Sequence, residues 1–493
     1  MKHFKTQTLF TCLLFSAFSV ESQNVTITRG GQTKMALVKS SEPNNFIAGG
    51  DHYFFTEYTE HAVRTYHLQS FDSKGAFLAD AVLEINQGVF NNTYSIDEVL
   101  GFGNKAYAMI EHLDKPSGKN TLLARVVDNK GKIATSEVEV MSIPFEKIMN
   151  SGFNYSAVSS DNKTLAVVGE MMYVKDQPAE FKVALFNQDM KKIKEGDFKL
   201  PGENTKNKSI SVKVANDGTV YLIKKGMTKK GDITLAVYQW SSVNSSDVKE
   251  YLIELTPPSQ LLNFTYEVNS NNELIVSGLY YERRTLTVGE TQAAGVFYFT
   301  NKGKSEKVLS VFKLDAPVDN LTARKILING NTVFLTAEQY KEERITPPAS
   351  AAGSMSNFDW NYNYTHKSDF VIALDVDGNK KFQLELAKDF SARDFDRQFY
   401  SGYFICNGKL TVMYNDLTKK YIKDDSYYAN QVPVLVQITN DGLLQSPVVF
   451  KNELKLEQYF VLYPSRSLQD SNNQISILMG NSQFEKIISV KVD

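Results

Sequence analysis

Four aromatic residues, Phe358, Trp360, Tyr362 and Tyr364, alternate with polar residues inside the segment Lys341–Ser368. Rings spaced in this way can stack on sugars or anchor a protein partner, and they can equally fold back to pack their own segment. The segment Leu417–Gln431 adds Tyr421, Asp424, Asp425, Tyr427 and Tyr428, and Glu282–Ala294 adds Arg283 and Arg284. A second set closes a series of predicted strands: Glu60-His61, Glu111-His112, Glu170, Tyr280-Tyr281-Glu282, Glu338-Gln339-Tyr340 and Tyr414-Asn415-Asp416. Strand ends gathered around one mouth would line a ligand site, and two carboxylates among them could serve as the acid and base of a glycosidase. The competing role is a solvated rim. The residues that stand out as ligand- or partner-binding candidates are Tyr281, Glu282, Arg283, Arg284, Glu338, Phe358, Trp360, Tyr362, Tyr364, Tyr421, Tyr427 and Tyr428.

Other chemistries leave no trace. The sequence has no His-Glu-x-x-His, Cys-x-x-Cys, P-loop or Gly-x-Ser-x-Gly motif. His52, His61, His67, His112 and His366 lack ligand spacing. Asp375-Val376-Asp377-Gly378 lacks the further acidic positions and closing Glu of a calcium loop, and turn chemistry already accounts for its residues. No metal, cofactor or catalytic residue is therefore assigned.

The elements that position these groups repeat along the chain. Leu122–Val140 holds two strand-like runs around Asp128-Asn129-Lys130-Gly131, a hairpin signature in which Gly can take the positive φ of a tight turn. The same unit recurs around Asp72–Gly75, Asn187–Met190, Asn301–Gly303, Asp375–Gly378 and Asn440–Gly442, with a weaker copy around Ser241–Asp247. Each hairpin is preceded by two further short strands. Four-stranded units start near Asn45, Ile96, Tyr155, Ser209, Phe264, Lys325 and Tyr400. Tyr459–Asp493 offers three strands only, while Val25–Arg29 and Lys34–Lys39 form strands without a unit of their own.

This layout resembles β-propellers as a superfamily, over nearly the whole chain after residue 22. The Trp-Asp signature of WD40 blades and the Ser-x-Asp-x-Gly-x-Thr-Trp box of sialidase-like propellers are missing, so no family residue carries over. The resemblance implies an all-β propeller of about eight four-stranded blades, closed by strands from both termini. Seven blades follow if one unit is misread. Two tandem β-sandwiches are the alternative, against which stands the lack of a Pro/Gly/Ser linker in mid-chain. Connections between second and third strands emerge on one propeller face with the links between blades. The long segments carrying the aromatics would share that face, where rigid scaffolds place their binding loops.

The 493 residues are 42% hydrophobic and 22% charged, which is ample for a core, and the formal net charge of −2 excludes nucleic acid as the expected partner. Lys2 and Lys5, the apolar run Leu9–Phe18 and Val20-Glu21-Ser22 read as a secretory signal over residues 1–22, leaving residues 23–493 as a single domain with no membrane-spanning segment. Cys12 falls within the signal, so Cys406 is the lone thiol of the exported chain and has no disulfide partner. Sequons at Asn91, Asn154, Asn263 and Asn363 are those expected by chance in an Asn-rich chain. Export without disulfides fits a bacterial periplasm, cell surface or extracellular space. The expected function is binding or scaffolding of a protein partner through the loop-rich face. The alternatives are a carbohydrate-binding or carbohydrate-cleaving propeller and a structural component of an envelope complex.

Overall fold

In a computed structural model, residues 25–30, 33–34, 44–48, 51–60, 63–72, 74–86, 88–89, 92–201, 208–228, 231–241, 248–282, 292–304, 306–344, 362–393, 400–423, 431–450, 461–480 and 484–493 are described. They form eight antiparallel sheets and no α-helix. Seven sheets are four-stranded meanders in chain order and the eighth has an early strand added to three late ones, with a two-residue strand at the edge of two of the eight. Blades 1 to 7 start at Asn44, Asn92, Phe153, Lys208, Ser259, Leu321 and Gly402. The innermost strands neighbour one another in that order around most of the ring, and Val461–Ser471 of blade 8 lies against the first strands of both blade 7 and blade 1. The chain is an eight-bladed β-propeller.

The blades stand apart only by the side chains between them. Leu165 and Val167 face blade 2, whereas Ala166 and Val168 face blade 4, the period-2 alternation of a strand buried on both sides. One apolar cluster fills each gap between successive blades. Between blades 3 and 4 it includes Phe181, Leu222 and Trp240, and between blades 8 and 1 it joins Leu478 and Ile487 to Phe71. Blade 8 itself combines the two ends of the chain. Val461–Ser471, Gln474–Gly480 and Phe484–Val492 supply three strands, and Val25–Arg29 pairs antiparallel with the last of them, Val25 opposite Val492.

The repeated turns form for a local reason. Asp128 Oδ1 accepts the backbone N–H groups of Lys130 and Lys132, both at 2.9 Å, and Gly131 takes φ of +78°. Asp72, Asn187 and Asp375 accept the N–H groups two and four residues ahead in the same way. These Asx turns all join third and fourth strands, so they lie on one face. The opposite face carries the links between second and third strands and between blades.

Candidate functional site

Blade 6 departs from its neighbours on that opposite face. Its second, third and fourth strands, Thr332–Arg344, Tyr362–Asp375 and Lys380–Arg393, contain 13, 14 and 14 residues, against six to eight in blades 3 and 4. Pairing of Tyr340–Arg344 with Tyr362–His366, and of Asn363–His366 with Phe390–Arg393, carries the sheet outward as a three-stranded projection. Residues 345–361 link its tip.

Beneath the projection lies a buried charged cluster. Glu338 and Asp369 are cross-strand partners with no solvent exposure. Glu338 Oε1 accepts Lys388 Nζ at 2.5 Å and His366 Nδ1 at 2.9 Å, and its Oε2 accepts Arg324 Nε at 3.1 Å. Lys388 Nζ also lies 3.2 Å from Asp369 Oδ1 and donates to Ser401 Oγ at 2.6 Å. Ser401 and Tyr403, from the start of blade 7, donate to the two Asp369 oxygens at 2.6 and 2.8 Å. Arg324 sits 3.4 Å from the ring centre of Tyr400, and His366 packs against Tyr340, Phe390 and Tyr400. Two acids and two bases balance, as a charge cluster removed from water requires. Burial pushes the Glu338 carboxyl upward, yet Lys388, His366 and Arg324 outweigh it and hold the group well below the ordinary carboxylate range. Asp369 shares the cation less favourably, and burial raises it.

Among the sequence candidates, Glu338 requires a correction. It was placed at a strand end open to solvent or ligand, but it is fully enclosed because the projection continues the sheet past it. Tyr364 is also buried, stacked on Tyr340 at 6.4 Å, so this member of the aromatic series packs its own blade. Tyr421 is half-buried and donates to Asp416 Oδ2 at 2.8 Å. Tyr281 and Glu282 are half-buried at the end of Leu274–Glu282, with Glu282 3.1 Å from Lys313. Tyr362 begins a strand opposite Arg344. Phe358, Trp360, Tyr427, Tyr428, Arg283 and Arg284 lie outside the described residues. The solvated-rim reading of the other strand ends also needs amending: Glu170 pairs with Lys208 at 2.5 Å and accepts Tyr155, while Asn415 and Asp416 are buried. Sequence reading missed Arg324, His366, Asp369, Lys388, Ser401 and Tyr403. The available signal was an ionisable residue inside each of the apolar runs FLTAEQY, SDFVIALD and LELAKDF.

Two further polar regions accompany the cluster. The innermost strands carry Glu98, Asn154, Ser156, Lys213, Glu267 and Lys325; Lys213 and Glu267 form an ion pair at 3.0 Å across blades 4 and 5. Burial lifts the Glu98 carboxyl to about 7. A cavity of about 470 Å³ opens between blades 4 and 5, lined by Lys224, Tyr238, Leu252, Leu255, Gln260 and Leu261. Among the described residues no group of three or more His, Cys, Asp or Glu is placed to hold a metal ion, and no helix is long and apolar enough to cross a membrane.

Fold and site together define a propeller whose blades 6 and 7 are joined by buried ions beneath a raised sheet. No family model matches the sequence, and no curated protein matches it. Solved structures similar to it include the WD40 domain of SCAP from fission yeast, at 9% identity and TM-score 0.39 over 95% of this chain and 94% of that one. A member of the DUF4221 family from Bacteroides vulgatus aligns at 10% identity and TM-score 0.33 over 87% and 99%. Lignostilbene dioxygenase from Pseudomonas brassicacearum aligns at 9% and 0.38 over 87% and 92%.

Proposed function

We propose that the protein is an exported, non-enzymatic binding or scaffolding module that captures a protein partner on the face bearing Lys341–Ser368 and Leu417–Gln431. The observation that carries this reading is the blade 6 projection, a sheet extended past its neighbours and fixed at its root by paired, enclosed ions. A rigid platform of this kind presents a linking segment at little entropic cost on binding. The aromatic series in that segment supplies anchors of the type that dominate protein interfaces. The acidic strand ends support binding over hydrolysis: Glu338 is fully enclosed and held by Lys388, His366 and Arg324, so it does not face solvent where a substrate and water could meet it.

Purified protein carrying an affinity tag, incubated with envelope extract and chemically cross-linked, tests the reading. Trp360→Ala with Tyr362→Ala should abolish the cross-linked species while leaving the melting temperature unchanged. A lower melting temperature with capture retained would show that these rings pack the projection. The glycan reading uses the same alternating aromatics. Binding of the unsubstituted protein to a glycan array, lost in the same double variant, would favour it.

A further inference from the structure

The cluster beneath the blade 6 projection holds more than a balanced set of ions. Asp369 and Lys388 lie on adjacent antiparallel strands, and Glu338 lies opposite Asp369 on its other neighbour. Asp369 pairs in register with Leu386, so Lys388, two residues on, points to the same side of the sheet. A primary amine, the carboxyl 3.2 Å away and a second carboxylate 2.5 Å from the same amine thus converge in a site with at most 1% side-chain exposure. From these positions we infer that Lys388 and Asp369 become joined by an intramolecular isopeptide bond, with Glu338 carrying the proton.

The step balances without any co-reactant. The ammonium of Lys388 gives a proton to the Asp369 carboxylate, which leaves an amine facing a neutral acid; Asp369 and Glu338 favour the ammonium, so this neutral pair is a transient species on the path. The nitrogen lone pair attacks Cγ of Asp369. Glu338 accepts a proton from the attacking nitrogen and returns it to the departing hydroxyl. One C–N bond forms, one C–O bond breaks, one water leaves, and no atom changes oxidation state. Ser401 and Tyr403 donate to both Asp369 oxygens, and those donors stand where the tetrahedral intermediate develops negative charge. Exclusion of water protects the product from hydrolysis. The product keeps its charge balance: one cation and one anion disappear together, and Glu338 remains paired with Arg324. The raised position of Asp369 on the pH scale is consistent with this sequence.

The bond would tie the third strand of blade 6 to the fourth beside the blade 7 boundary, at the root of the projection. It does not depend on what the projection binds.

Mass spectrometry of the purified full chain tests the inference directly. The intact protein should be lighter by one water than the sequence from its observed N-terminal residue onward. Tryptic digestion should yield a branched peptide joining the segments around Asp369 and Lys388, with no cleavage after Lys388. Lys388→Arg and Asp369→Ala should restore the full mass, and Glu338→Gln should slow or prevent the loss of water while circular dichroism still shows a folded β protein. An unsubstituted protein at full sequence mass, with linear peptides ending at Lys388, would overturn the proposal and leave an ion cluster alone. That measurement needs no variant, so a substitution that fails to fold does not weaken it.

Discussion

Glu98, on the innermost strand of blade 2, offers a pH-dependent test of the fold's buried polar groups. It lies one residue from Asp97 and beside an irregularity in the pairing of Ile96 and Glu98 with the next strand. Burial raises its carboxyl to about 7, with Asp97 adding to the rise and Ser156 opposing it. The folded protein therefore holds a proton that the unfolded chain, where the carboxyl titrates near 4.5, has already released. Where the folded state binds more protons, stability falls as pH rises. The decline starts near pH 4.5 and flattens above about pH 7. The full separation is worth at most about 3.4 kcal/mol at 1.36 kcal/mol per pH unit, and the partial exposure of Glu98 reduces it to about 1 to 2 kcal/mol. Glu98→Gln removes the titration while keeping the shape of the neutral acid. The variant and the unsubstituted protein should match near pH 5, and above pH 8 the variant should be the more stable. With about 2.1 cal/mol/K of unfolding entropy per residue, a chain of this length shifts its melting temperature by about 1 °C per kcal/mol. Differential scanning calorimetry at pH 5, 6, 7 and 8.5 should show a gap opening to about 1 to 2 °C. A gap that is constant across the series, or that closes as pH rises, would refute the reasoning.

Asn415 bridges blades 7 and 8 by donating to the Leu462 carbonyl at 3.0 Å and accepting the Leu462 N–H at 2.9 Å, all of it buried. Asn415→Ala strands both backbone groups and should cost about 1 to 3 kcal/mol, read as a lower midpoint in urea. Trp240 is fully enclosed between blades 3 and 4, so Trp240→Ala should cost about 3 to 5 kcal/mol and lower the calorimetric midpoint by about 3 to 5 °C. Gly378 has φ of +82°, and an added Cβ would stand 2.4 Å from the Tyr298 ring, whereas Gly303 has φ of +58° and open space around it. Gly378→Ala should therefore destabilise by more than Gly303→Ala, whose cost stays near the about 1 to 2 kcal/mol of left-handed backbone. The Cys406 thiol is buried, and burial raises its pKa, so a thiol reagent should label it only after denaturant is added.

The blade repeat was legible because its signals are local. Turn residues such as Asp128 and Gly131 select their own conformation, and period-2 runs such as LAVVGE show burial on both faces. The orphan strand Val25–Arg29 and the three strands after Tyr459 together pointed to a shared final blade, and Val25–Arg29 does pair with Phe484–Val492. Boundaries were less legible: blade 5 begins at Ser259 and blade 6 at Leu321, earlier than Phe264 and Lys325, because pairing with the next strand extends an element beyond its local propensity. Of the expected Lys34–Lys39 strand only Lys34 lies within the described residues, in the strand Thr33–Lys34. The charged cluster was not legible for the same reason. Glu338, Asp369 and Lys388 are separated by 31 and 19 positions in sequence and meet only once blade 6 has paired, while Ser401 and Tyr403 arrive with the next blade.

The pairing of Val25 with Val492 gives the molecule an order of assembly. Blades 1 to 7 can each form as soon as their own residues are made, since every one is a contiguous stretch. Blade 8 cannot. Its outermost strand, Val25–Arg29, precedes blade 1, and the strand it pairs with, Phe484–Val492, follows blade 7. Until Phe484–Val492 is made, blades 1 and 7 present uncovered apolar flanks to the gap, and Val25–Arg29 waits for its partner. The ring is therefore a clasp fastened across more than 450 intervening residues. A product truncated before Phe484 loses that strand, and with it the hold on Val25–Arg29. Such a chain should be open, adhesive and readily degraded even though seven of its eight blades are intact.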